Sequence, residues 1–228
     1  CKVAVERGLR VDMHCDETDD PSSRHVETLV SETTRLGLQG RVAGSHLTSM
    51  HSMDNYYAGK LIDLMVEADL HVVANPTANL LLMGRRDTYP KRRGMTRVPE
   101  LIAAGLNVSL GQDSVMDPWG PLNAADMLDV AHMAVHAGHL SGRDEIRACF
   151  NAVTESPART LGLDGYGLEP GCHADLVVLQ ASDPVEAIRL RPTRLFVIRR
   201  GRIIARSEES EVNLDIPGRP STTDFTIQ

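Results

Sequence analysis

Val11-Asp12-Met13-His14-Cys15-Asp16-Glu17 reads as a short strand that stops at a histidine, with a glutamate three residues later and Asp19 and Asp20 close behind. The design recurs twice. Arg41-Val42-Ala43-Gly44-Ser45-His46 and Asn107-Val108-Ser109-Leu110-Gly111-Gln112-Asp113-Ser114 also run strand formers into a group able to bind metal or carry a proton. Polar side chains at the C-terminal ends of successive parallel strands are how a β/α barrel builds its active site, so the three stretches are expected to be neighbouring staves.

The intervening sequence supplies the helices. Pro21-Ser22-Ser23 is expected to open a helix through about Leu36, Tyr56 to Ala68 a second and Val98 to Ala104 a third, with Gly37 and Gly105 as stops. Leu70 to Ala74 is a further strand, ended by Asn75-Pro76 because the residue before a proline is pushed out of regular helix. A long charged loop, Asn79 to Thr96, is expected next. Four strand–helix alternations with short connections mark a parallel α/β fold, but a closed barrel needs eight. After the Asp117-Pro118-Trp119-Gly120-Pro121 turn come helices at Ala124 to Ala137 and Arg143 to Val153, then three strands at 174–179, 194–198 and 201–205 without helices of barrel length between them. Residues 1–165 are therefore expected to be the C-terminal half of a (β/α)8 barrel, 166–216 part of a small β-domain, and 217–228 a poorly ordered tail. The chain starts at Cys1 rather than methionine, and Val3 to Leu9 read as the end of a helix already under way, so a longer parent protein is expected.

A net charge of -7 argues against a nucleic-acid partner, which a phosphate backbone would repel. Cys1, Cys15, Cys149 and Cys172 form no C-x-x-C pair, so neither a disulfide framework nor a cysteine zinc cage is expected and a reducing cytoplasm is the default compartment. No apolar run is long enough to cross a bilayer.

Imidazole and carboxylate are normal ligands for zinc or ferrous iron, and His14 and Asp113 fit that role from different strand ends. Such an ion lowers the pKa of water it binds. Glu17 is expected one turn beyond His14, placed to pass a proton to a leaving group, and His46 on the adjacent stave to orient the nucleophile or stabilise developing charge. A single histidine at a strand end is more often a hydrogen-bonded structural residue; three strand ends carrying His or Asp together are harder to dismiss.

His14-Cys15-Asp16-Glu17-Thr18-Asp19-Asp20, the run Ala43 to Ser52, Ala74-Asn75-Pro76, the run Asp87 to Gly94 and the run Gly111 to Trp119 together resemble the bacterial cytosine deaminases of the amidohydrolase superfamily, from about Cys1 to about Ala205. The resemblance implies a metal-dependent β/α barrel that hydrolyses cytosine to uracil and ammonia, with one divalent metal ion, iron(II) or zinc. It implies that His14 is the fifth-strand metal ligand and Glu17 the acid/base that protonates the pyrimidine ring nitrogen. His46 corresponds to the sixth-strand histidine that helps activate the nucleophile, Asp113 to the eighth-strand aspartate that binds metal and accepts the water proton, and Trp119 to a pocket wall. The implied partner is a small pyrimidine base, in a protein expected to be a homo-oligomer when full length.

Two departures from the family matter. Its His-x-His pair and ring-binding glutamine belong to the half-barrel not represented here, so the chain alone is expected to hold metal weakly or not at all. Ser114 stands where an acidic residue is usual and Gln112 where histidine is usual. The smaller, uncharged serine leaves room for a ring substituent such as the methyl of 5-methylcytosine. Rival readings are another amidohydrolase reaction, on a cyclic amide or a triazine, and an inactive fragment that needs its missing half. The H-x-E and P-C-x-x-C zinc deaminases are excluded because neither pattern occurs.

His132, His136 and His139 share one helical face, a spacing that could clip a metal but is read as a polar stripe on an outer barrel helix because no carboxylate motif accompanies them. Arg85, Arg86, Lys91, Arg92, Arg93 and Arg97 read as a solvated loop near the barrel mouth that could close over substrate, Met127 and Met133 as helix packing. Cys15 is given no catalytic role, because successive side chains on a strand point to opposite faces.

Overall fold

The computed structural model describes residues 1–213 and 215–219 of the 228-residue chain. Residues 220–228 of the expected disordered tail lie outside the described residues, and Pro217 to Arg219 form a turn. The chain divides into two compact units, one over 1–164 and one from 165 onward.

The first unit is built on four parallel strands in sequential order, β1 (Val11–Cys15), β2 (Val42–His46), β3 (His71–Ala74) and β4 (Val108–Leu110). All five residues of β2 are buried, whereas β1, at one sheet edge, is largely exposed. A strand covered on both faces reads as continuous burial, and an edge strand lacks one neighbour's cover. In register, Cys15 pairs with His46 and Ala74 with Leu110, so the C-terminal strand ends finish level.

Helix α1 (Lys2–Arg7) ends at Gly8, whose left-handed φ of 65° lets its N–H reach the carbonyls of Ala4 and Val5. Between the strands lie α2 (His25–Arg35), α3 (Asn55–Glu67), α4 (Pro76–Leu82) and α5 (Val98–Ala103). Asp54 caps α3 by accepting from the N–H groups of Tyr56 and Tyr57. Their apolar faces, including Val26, Leu29, Leu61, Met65, Val98 and Leu101, are buried with the strands. Helices α6 (Met127–Gly138), α7 (Arg143–Asn151) and α8 (Glu155–Leu161) complete the unit.

Two sequence expectations are corrected. The loop expected from Asn79 starts only after Leu82, because Pro76 opens α4 in its first turn, where its missing N–H has no intrahelical partner to lose. The helix expected from Pro21 starts at His25, because Asp16 accepts from the N–H groups of His25 and Val26 and so fixes the first turn there.

The second unit is an antiparallel sheet, β5 (Leu176–Leu179), β6 (Arg194–Arg199) and β7 (Arg202–Arg206), in that order. A short helix α9 (Pro184–Leu190) joins β5 to β6, capped by Asp183, which accepts from Val185 and Glu186 N–H. No helix among the described residues is long and apolar enough to cross a membrane.

Candidate active site

Backbone strain marks the level strand ends. Asp16, His46, Leu47 and Asp113 all have positive φ, at 55°, 71°, 51° and 69°. A non-glycine residue in this region costs on the order of 1 kcal/mol or more, so the packing must enforce it. The reversal at Asp16 ends β1, so Glu17 is not one helical turn beyond His14 as expected. It lies in the following loop and turns toward β2, where its Oε1 lies 3.3 Å from His46 Nδ1.

His14, His46 and Asp113 meet. His14 Nε2 and His46 Nε2 each lie 3.9 Å from Asp113 Oδ1, and the imidazole centroids are 4.9 Å apart. Their ligating atoms all fall within 4.8 Å of one another, the only such three-group cluster among the described residues. His46 is buried, at 1% side-chain exposure, and its Nε2 has no hydrogen-bond partner. His14, on the edge strand, is 64% exposed and Asp113 21%. An imidazole and a carboxylate, here His14 and Asp113, are normal ligands for zinc or ferrous iron, and the buried, unpartnered Nε2 of His46 lies beside them. The residues fit such an ion.

His46 is held from the far side by a residue the sequence reading missed. Asn79, fully buried on α4, places Nδ2 3.0 Å from His46 Nδ1. An amide NH2 can only donate, so in the neutral ring Nδ1 accepts and the proton sits on Nε2. His46 thereby presents a donor to the cluster rather than a lone pair. Burial pushes its pKa down, against the opposing pull of Glu17 and Asp113. Thr96, also missed, donates its hydroxyl to the His46 carbonyl and secures the strained residue from the loop before α5. Asn75 donates to Ser45 Oγ at 3.2 Å and runs so close to Gly111 that a Cβ there would lie 2.3 Å from its Oδ1. Only the dipeptide Asn75-Pro76 hinted at α4 in the sequence, and nothing local marked Asn79 or Thr96.

Ser114 and Trp119 follow Asp113 on the next loop. The Asp117 carboxylate is held below its usual range chiefly by the Gly120 N–H, with the Ser114 hydroxyl also lowering it. Trp119 is 56% exposed, with its backbone N–H bound to Asp117 Oδ1 at 3.0 Å. The structure does not bring either side chain into the His14/His46/Asp113 cluster. Cys15 stays a thiol: burial, then Asp16 and Asp12, push its pKa up to about 12.

The family profile of the amidohydrolases matches residues 1–206. Pterin deaminase of Rhizobium rhizogenes is 32% identical over 216 residues, covering 94% of this chain and 49% of that protein. The crystal structure of 5-methylcytosine deaminase from Klebsiella pneumoniae liganded with 5-fluorocytosine superposes with a TM-score of 0.90 at 40% identity, over 96% of this chain and 52% of the other. N-isopropylammelide isopropylaminohydrolase from Burkholderia multivorans superposes with a TM-score of 0.78 at 29% identity, over 90% and 49%. The chain thus spans about half the length of these relatives. With the first unit carrying half of a β/α barrel and polar groups gathered at its level strand ends, the chain belongs to the amidohydrolase family.

Proposed function

We propose that this chain supplies part of the active site of a metal-dependent hydrolytic deaminase acting on a cytosine-type pyrimidine base, with 5-methylcytosine the favoured substrate. The observation that carries the reading is the meeting of His14, His46 and Asp113, with Glu17 3.3 Å from His46 Nδ1. His14 and Asp113 would hold a divalent ion, iron(II) or zinc, which supplies Lewis-acid activation of water. Asp113 accepts a proton from the attacking water, and His46, carrying its proton on Nε2, donates a hydrogen bond to the developing negative charge. Glu17 delivers a proton to the ring nitrogen, the proton held by Asp113 passes to the amine, and the C–N bond breaks as the C=O forms, the hydroxyl proton returning to Glu17 as ammonia leaves. One water is consumed and one ammonia released, so 5-methylcytosine gives thymine and cytosine gives uracil.

Support for the methylated base comes from Ser114. It stands directly after Asp113, and a small, uncharged side chain at that position leaves room for a ring methyl. The 40% identity to the Klebsiella 5-methylcytosine deaminase points the same way. The rival is amine removal from a triazine, favoured by the likeness to the Burkholderia N-isopropylammelide enzyme. Pterin, named for the Rhizobium relative, is the third ring to assay.

The test is release of ammonia or isopropylamine from cytosine, 5-methylcytosine, pterin and N-isopropylammelide, by the chain as it stands and within the complete reading frame of its gene. The expected outcome is the highest kcat/KM for 5-methylcytosine, with Ser114→Asp shifting preference toward cytosine. Turnover confined to the triazine or pterin would end the pyrimidine reading while leaving the barrel and its family intact.

A further inference from the structure

Helix α6 carries a second pair of histidines that the candidate active site does not use. Its inward face is Leu128, Val130, Ala131, Ala134 and Ala137, all buried. His132 and His136 stand one turn apart on the outer side, half-buried and exposed respectively. Their rings meet edge to face with centroids 4.6 Å apart, and the two Nε2 atoms are 3.2 Å from each other. Histidines at i and i+4 on a rigid helix share one face, the spacing that zinc-binding helices use.

The nitrogen separation is informative. With metal–nitrogen bonds of about 2.0–2.1 Å, a gap of 3.2 Å subtends an angle of about 100–106° at the metal, close to tetrahedral. The two Nε2 atoms already stand at chelate spacing, in a contact where one ring nitrogen donates to the other, and a bound ion takes the place of that shared proton. We propose that His132 and His136 form a two-nitrogen clip for a divalent transition-metal ion of the imidazole-preferring kind, zinc above all, separate from the candidate active site. Among the described residues the only cluster of three possible ligands is His14, His46 and Asp113, so the clip leaves its other positions to water. Bridging one turn of α6, the ion favours the folded chain by mass action. The inference stands whether or not the deaminase reading does.

The experiment is a Zn(II) titration of the 228-residue chain, followed by competition with a chromophoric chelator and by the ring-nitrogen NMR resonances of the histidines. Zinc should move the Nε2 resonances of His132 and His136 together. His132→Asn or His136→Asn should each weaken that phase by ~10²-fold, because a chelate becomes a single ligand. The resonances of His14 and His46 should follow the same zinc dependence in these variants as in the parent. Circular dichroism checks that the outward-facing substitutions leave the helix intact. A single variant that binds zinc as tightly as the parent would overturn the clip. So would equal shifts at the exposed His25 and His139, which would show adsorption at any surface imidazole.

Discussion

Asp16 sits between the two proposed roles of its neighbours and takes neither. Buried at 4% exposure, its carboxylate accepts from Ser23 Oγ, His25 N–H and Val26 N–H, each at 2.8 Å. It therefore ties the reversal after His14 to the first turn of α2. Asp16→Ala strands one buried and one part-buried backbone donor, at Val26 and His25, a loss of about 2 kcal/mol. Urea unfolding of the chain should show it, and a loss below about 1 kcal/mol would mean that water replaces the carboxylate. Asn79 governs chemistry rather than stability. Without its NH2 at Nδ1, the nearest partner is the Glu17 carboxylate at 3.3 Å, which accepts only from an Nδ1–H. Asn79→Ala should move the neutral-ring proton from Nε2 to Nδ1, visible as an exchange of the two His46 nitrogen shifts. Activity should drop about 10–100-fold, the usual effect of removing a residue that orients a site imidazole. Unchanged His46 shifts would remove Asn79 from the account.

The loop between α4 and α5 looked in the sequence like a solvated basic segment, and two of its six cations are instead bound inward. Arg92 pairs with Asp87 and donates to Ser52 Oγ at 2.7 Å, while Arg97 donates to the carbonyls of Met50 and Met53. Asp19 is the other anchor, accepting from Gly84 N–H at 2.8 Å and facing His51 Nε2 at 2.9 Å. Thr96, at the end of this loop, holds the His46 carbonyl, so the anchoring bears on the site. At Gly94, φ is 64° and a Cβ would fall 2.1 Å from Met83 Cβ, so no other residue fits the turn. Asp19→Ala should raise the amide exchange rate and protease sensitivity of residues 84–94 by about 10-fold or more, the loss of a charge-assisted bond of about 2 kcal/mol. Protection equal to the parent would assign the anchoring to Arg92 alone.

Across the whole chain, the staves were legible because each repeats one local message, strand formers ending in a polar group. That message marks His14, Glu17, His46 and Asp113 from the sequence alone. The supports were not legible, since Asn79 meets His46 across 33 positions and Thr96 across 50, and no local pattern records such a meeting. Helix α4 was hidden because Asn75-Pro76 marks a strand end and a helix start alike. The same burial that makes the supports effective sets the response to acid. His46, His51 and His71 all have pKa values pushed down by burial. His71 accepts from Asn107 Nδ2 at 2.8 Å, lies 3.0 Å from the Gly40 carbonyl and has Arg10 3.2 Å away, so a proton there meets a cation. Below the unfolded value of 6.5 the unfolded chain takes up protons that the folded chain refuses. Stability is therefore full above that pH and falls as pH drops toward the folded values. A second loss begins below 3.8, where Asp87, held down to about 2 chiefly by its hydrogen bond to Arg92, starts to protonate in the unfolded chain. Urea unfolding between pH 8 and 5 should show the first decline, with His71→Gln flattening it even as it lowers the plateau. A slope unchanged by that substitution would assign the decline to His46 and His51, and would mean that the Asn107–His71 contact tolerates a proton.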